Sequence, residues 1–164
     1  MRDWRKPLLS ALLWLAAAGW CGVLFFFSGQ NAAESSSLSL RVTEFVLRML
    51  PFLHYTVEEL HPILRDMAHF AIFAVEGALL GAAMMTTLRE RFMGGLLSVL
   101  CCAVVAVLNE YHQSFSLGRS CEVKDMLIDS AGGLTGVLFA ALVLFLGFSL
   151  SWKLRQRRKN VIIS

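Results

Sequence analysis

Residues 109–133 read NEYHQSFSLGRSCEVKDMLIDSAGG, a polar segment set between two long apolar runs. The run before it, Phe92 to Leu108, carries no charge over 17 positions, and Ser130 to Trp152 after it carries none over 23. About 20 apolar residues of helix cross a hydrocarbon core about 30 Å thick. Both runs therefore read as membrane spans, and the polar segment as the loop that joins them. Working outward, Met67 to Leu88 carries only His69 and Glu76, and Pro7 to Phe27 is uncharged for 21 positions. The third run continues to Tyr111. The expected fold is an all-α membrane protein with four transmembrane helices, at about 7–28, 67–88, 92–111 and 126–152. They form one domain over residues 1–150, followed by a basic tail at 153–164.

Composition agrees with this. The chain has 164 residues, 57% of them hydrophobic and 16% charged, against about 25% charged in ordinary soluble domains. Arg2, Arg5 and Lys6 resemble the basic region of a signal peptide, but the apolar core after them exceeds the roughly 7–15 residues of a cleaved signal. LAAAGWC resembles a lipoprotein cleavage box, yet Trp20 stands before Cys21 where a small residue is needed. The first run is expected to remain as a helix.

Orientation follows from the basic residues. Arg2, Arg5 and Lys6, then Arg89 and Arg91, then Lys153, Arg155, Arg157, Arg158 and Lys159 make ten of fifteen Lys and Arg on one side. The positive-inside rule makes that side cytoplasmic, with both termini inside and Trp4 and Trp152 at the inner interface. Of twelve acidic residues only Asp3 and Glu90 fall there. The other ten, and all four histidines, lie in the opposite loops or the helices bordering them. The net charge of +3 reports topology and implies no nucleic-acid partner.

The long outer loop, residues 28–66, holds an amphipathic stretch. Ser35, Ser36 or Ser37 can cap a helix with Arg41, Glu44 and Arg48 on one face and Leu38, Val42, Phe45 and Met49 on another. Such a helix suits a membrane surface or a lid over the bundle. Pro51 ends it, and Thr56 with Glu59 matches a capping box leading by a second short turn to Pro62 and the next span. Cys21, Cys101 and Cys102 lie within spans and Cys121 alone in a loop, so neither a disulfide framework nor a thiolate metal site is indicated.

Each span brings polar groups to the outer side. The first ends FFFSGQN, placing Ser28, Gln30 and Asn31 at its mouth. The second begins RDMAHF, with Arg65, Asp66 and His69, and Glu76 two helical turns deeper on the face of His69. The third ends NEYHQ, where Glu110 and Gln113 face together and His112 points elsewhere. The fourth begins KDMLIDSAGG, where Asp125 and Asp129 share a face. An ionised carboxylate near the bilayer centre costs roughly 2.5–3.5 kcal/mol on insertion scales. Glu76 and Asp129 should therefore face the bundle interior, paired or hydrated. Gly132 and Gly136 form a GxxxG pair that lets another helix approach, in this chain or in a second copy.

Plainer readings stand beside these. His69 can donate to a backbone carbonyl, Glu110 can pair with Arg119 to fix the third loop, and Asp125 can cap the fourth helix. A metal set of His69, Glu76, Glu110 and Asp129 has no short ligand motif behind it, so no metal and no cofactor is expected.

The order of these motifs resembles the VanZ-like family: Phe27-Ser28-Gly29-Gln30, Ala68-His69-Phe70, Asn109-Glu110-Tyr111-His112-Gln113, Gly118-Arg119, and Asp125 through Gly133. The resemblance spans residues from about 20 to 145. There are departures from the family pattern. Arg65-Asp66-Met67 stands where a lysine is frequent, Phe73 where a tyrosine is frequent, and Asn109-Glu110 where an acid pair is common. The family takes its name from a protein associated with low-level resistance to teicoplanin-type glycopeptides. The resemblance implies a bacterial cytoplasmic-membrane protein of the cell envelope with an extracytoplasmic functional face.

The leading expectation is an outward-facing cleft that binds a lipid or lipid-linked envelope head group through Ser28, Gln30, Arg65, His69, Glu110, Gln113, Arg119, Asp125 and Asp129. Guanidinium groups match phosphate geometry, and the carboxylates and amides can orient hydroxyl or amide groups. The alternative is an intramembrane enzyme using His69, Glu110 and Asp129 for acid–base chemistry on a lipid-linked substrate. A small transporter has less behind it, since the cytoplasmic halves of the spans lack polar groups.

Overall fold

The computed structural model describes residues 5–52 and 54–163, and the side chains of 7–52 and 54–153. The side chains of Arg2, Trp4, Arg5, Lys6, Arg155, Arg157, Arg158 and Lys159, expected to mark one membrane side, lie outside the described residues. The elements run α1 (Arg5–Ser28), α2 (Ala32–Met49), α3 (Val57–Thr87), α4 (Arg91–Gln113) and α5 (Val123–Ile163). Four of them, all but α2, are long and apolar enough to cross a membrane. Their outward faces carry exposed Leu12, Phe26, Phe92, Val104, Phe139 and Phe145, the surface expected where the surrounding solvent is lipid.

The second span begins earlier than its apolar run. Thr56 Oγ1 accepts from the Glu59 amide and Glu59 Oε2 from the Thr56 amide, the expected capping box. This box starts α3 itself, which continues through Pro62 without a break to Thr87. α3 therefore rises about ten residues beyond the apolar stretch that begins at Met67. The cap of α2 also differs from expectation. Asn31 and Glu34 form its capping box, while Ser37 and Ser39 bond back to carbonyls of α2. Asn31 is closer to the first free amides, because the Leu117 carbonyl draws in the Ala32 amide just after it. The Ser39–Thr43 face of α2 turns toward α3, with Thr43 buried and Ser39 sharing a hydrogen bond with His61. Leu38, Val42, Phe45 and Met49 remain exposed.

The bundle is organised around α3 and α5, which run parallel. A Cβ on Gly132 or Gly136 would strike the carbonyls of Phe70 and Ala74 respectively, and one on Gly77 would strike Gly133. Between lipid-embedded helices there is no hydrophobic drive to associate, so close backbone approach supplies the attraction. The glycine pair is thus packed against α3 of the same chain. Toward the C-terminal ends the seam continues as an apolar core of Leu80, Val137 and Ala140 with Cys102 and Ala17.

The helix α4 runs back between them. Its buried residues Gly94, Ser98, Cys102, Ala106 and Glu110 recur every fourth position, one helical stripe. A Cβ on Gly133 would lie 2.7 Å from that of Cys102, so Gly133 is where α3, α4 and α5 meet. The helix α1 lies antiparallel to α3. Trp14 Nε1 donates to Thr87 Oγ1 (3.0 Å) near one end and Trp20 Nε1 to the Ile72 carbonyl (2.9 Å) nearer the other.

The seam predicts a contrast between two glycines of one helix. Gly136→Ala should destabilise by about 1–3 kcal/mol or more through overpacking. Gly147→Ala, where a Cβ meets nothing within 4 Å, should be neutral or stabilise by up to about 1 kcal/mol. Thermal unfolding in detergent measures both.

Candidate functional site

One end of the bundle gathers the polar groups: the end of α1, the start of α2, the third and fourth turns of α3, the first two turns of α5, and the end of α4. Parallel register sets α3 and α5 residues opposite each other in equal steps. Arg65 lies 3.9 Å from Asp125, Lys124 2.6 Å from Asp66, and His69 Nδ1 3.2 Å from Asp129 Oδ1. The glycine seam begins one turn further along. The close approach that needs glycine therefore continues upward as a ladder of α3–α5 charge pairs.

On α4, Glu110 and Gln113 are both fully buried on one face, as their spacing implies. Gln113 links three groups. Its Oε1 accepts from Arg119 Nη2. Its Nε2 donates to Glu110 Oε2 (3.4 Å) and to the Ser120 carbonyl (3.3 Å). The Glu122 amide also reaches Glu110 Oε2, at 3.2 Å. The direct Glu110–Arg119 pair weighed from sequence is absent among the described residues, because Gln113 stands between the two. Gly118 is in the left-handed region at φ 74°. A side chain there would be strained and would come 3.1 Å from Ala32 Cβ. Glycine at this point lets the loop touch α2 and turn Arg119 inward.

A cavity of about 260 Å³ opens between α1, α2, α3 and the α4–α5 loop. Of the expected ligand-binding residues, Ser28, Gln30, Arg65, His69, Gln113 and Arg119 line it. Asp125, Asp129 and Glu110 stand behind Arg65, His69 and Gln113 as their partners. The expected set is thus brought together in two layers. The Ser28 hydroxyl is already committed, donating to the Asn109 carbonyl (2.9 Å) and facing His112 Nδ1 (3.2 Å). His112 points away from Glu110 and Gln113, is exposed, and sits edge-on to Phe25. Asn109 and Ser39 also line the cavity and were not anticipated. Asn109 is four residues from Gln113, a same-face spacing that could have revealed it. No spacing brings Ser39 in from α2. Leu24, Phe27, Leu64, Ile72 and Phe73 supply an apolar wall.

Burial, and next the neighbouring Arg65, hold the Arg119 guanidinium below its usual pKa, against the pull of Glu110 and Asp125. Two cations thus face one cavity. Among the described residues, four buried side-chain oxygens have no hydrogen-bond partner: Glu76 Oε2, Asn109 Oδ1, Glu110 Oε1 and Asp129 Oδ2. Glu76 faces the interior as expected, but it lies outside the cavity and has no ion-pair partner among the described residues.

Residues 13–151 match the family model VanZ/LLP1, most of the chain and all four membrane-length helices. No curated protein and no solved structure matches it.

The three-way role of Gln113 yields a prediction. Gln113→Leu leaves the Arg119 guanidinium, Glu110 Oε2 and the Ser120 carbonyl each short of a partner. At about 1–3 kcal/mol for a buried group left unpaired, the variant should unfold at clearly lower temperature than Tyr111→Leu, a change at an exposed position two residues away on the same helix.

Proposed function

The chain belongs to the VanZ/LLP1 family of membrane proteins, and from that premise we propose that its cavity binds the anionic head group of a membrane lipid or lipid-linked envelope precursor. The observation that carries this reading is the pairing of two guanidiniums, Arg65 and Arg119, with an apolar wall in one cavity. A phosphate group would relieve the repulsion between the two cations and accept from both, guanidinium being suited to bidentate contact with phosphate. Gln30 and the free Asn109 Oδ1 are placed for hydroxyl or amide groups beside it. At about 260 Å³ the cavity is just below the range of about 300–1,000 Å³ usual for small-molecule sites. That suits a head group whose acyl chains stay outside, along the exposed Leu38 and Val42 of α2.

An extracytoplasmic cleft is supported by Arg89 and Arg91, which lie between α3 and α4 at the opposite end of the bundle, and by the basic residues that the sequence puts in both termini. A lipid-linked precursor as ligand is the case in which the cleft would bear on glycopeptide resistance.

Native mass spectrometry of protein purified in mild detergent tests the binding. Wild type should retain a phospholipid such as phosphatidylglycerol over phosphatidylcholine. Arg119→Ala should retain it about 10–100-fold less, the worth of a charge-assisted hydrogen bond of about 1.5–3 kcal/mol. Equal retention by the two proteins sinks the assignment. Orientation has its own test in the exposed Cys121 of the α4–α5 loop. A membrane-impermeant maleimide should label it in intact cells. Labelling only after lysis would invert the topology.

A further inference from the structure

Behind the cavity wall, His69 of α3, Glu110 of α4 and Asp129 of α5 bring one donor atom each to within 4.8 Å of one another. Both carboxylates are fully buried. Each has one oxygen held and one left over. Glu110 Oε2 takes the Glu122 amide and the Gln113 side chain, leaving Oε1 without a donor. Asp129 Oδ1 takes His69 Nδ1, leaving Oδ2 without one. A buried acceptor with no partner is destabilising, and two in one cluster point to something that satisfies both.

The charges point the same way. Among the described residues the Lys and Arg ion pairs go to Asp66 and Asp125, and none reaches Glu110 or Asp129 within 4.0 Å. A protonated His69 would leave the cluster at one negative charge, whereas a divalent cation with neutral imidazole brings it to zero. From these observations we infer that His69, Glu110 and Asp129 bind a divalent transition-metal cation, Zn²⁺ or Mn²⁺.

The donor set selects the class. One imidazole with two carboxylates favours these ions over Mg²⁺ and Ca²⁺, which take oxygen alone. Donors around such an ion stand about 2.0–2.2 Å from it, so the three need to close by no more than about 1 Å. The Gln113 and Glu122 contacts to Glu110 are the outer-shell bonds that orient a ligating carboxylate. Three protein ligands leave coordination positions open to water or to a group in the cavity that His69 lines. The site does not rest on the head-group reading, since neither Arg65 nor Arg119 supplies a ligand. It also departs from the sequence expectation of no metal, which rested on the lack of a short motif, whereas these donors come from three helices.

The test is metal content of the full chain, purified in detergent with a histidine-free tag, stripped with EDTA, and dialysed separately against Zn²⁺, Mn²⁺ and Mg²⁺. Wild type should hold about one equivalent of Zn²⁺ or Mn²⁺ and little Mg²⁺. Glu110→Gln and Asp129→Asn should lose it at least tenfold, and Glu76→Gln should keep it. Wild type without stoichiometric metal, or equal retention in all the variants, overturns the inference. Should the Glu110 and Asp129 variants fail to fold, Co²⁺ added to wild type decides. A ligand-field absorption band displaced by Zn²⁺ supports the site, and its absence overturns it. Metal retained without any lipid supports the cation site and overturns only the head-group reading.

Discussion

The carbonyls of Phe70 and Ala74 lie so close against α5 that only hydrogen atoms fit between, and Gly132 and Gly136 supply them. This contact fixes the register of two parallel helices, and the register then dictates every polar pairing above it. Arg65 meets Asp125, and His69 meets Asp129, because both helices advance four residues between one rung and the next. At Gly133 the same closeness admits α4 through Cys102, and Glu110, eight residues further along the α4 stripe, reaches the level of the ladder. In a medium where apolar contact between helices gains little over contact with lipid, a backbone seam is an economical way to hold carboxylates in place.

Much of this was legible in the sequence. The four spans follow from hydropathy, because the bilayer imposes length and apolarity on each helix separately. Buried pairs within one helix, such as Glu110 with Gln113 and Asp125 with Asp129, follow from helical periodicity. Glu76 and Asp129 were expected to turn inward, and do. The Thr56–Glu59 cap was legible for the same local reason.

What spacing could not reveal lies between segments distant in sequence. Whether Arg119 reaches Glu110 or stops at Gln113 depends on the left-handed turn at Gly118. The α2 cap moved to Asn31 because the Ala32 amide beside it is bound by Leu117, far along the chain. The partner of the GxxxG pair was equally open, since the sequence allowed a helix of this chain and one of a second copy alike. Ser39 entered the cavity wall through the docking of α2 on α3, where its bond to His61 joins the two helices.

The parallel course of α3 and α5 also bears on how the protein is made. Parallel helices cannot be joined by a tight hairpin, so α4 must cross the membrane between them. Until α5 follows, His69 and Glu110 are already in place without Asp129, and Phe70 and Ala74 have no glycine to close against. The polar cluster is therefore assembled only once α5 follows α4. Membrane insertion of α1, α3 and α4 has to tolerate a half-built charge cluster, which α5 then completes.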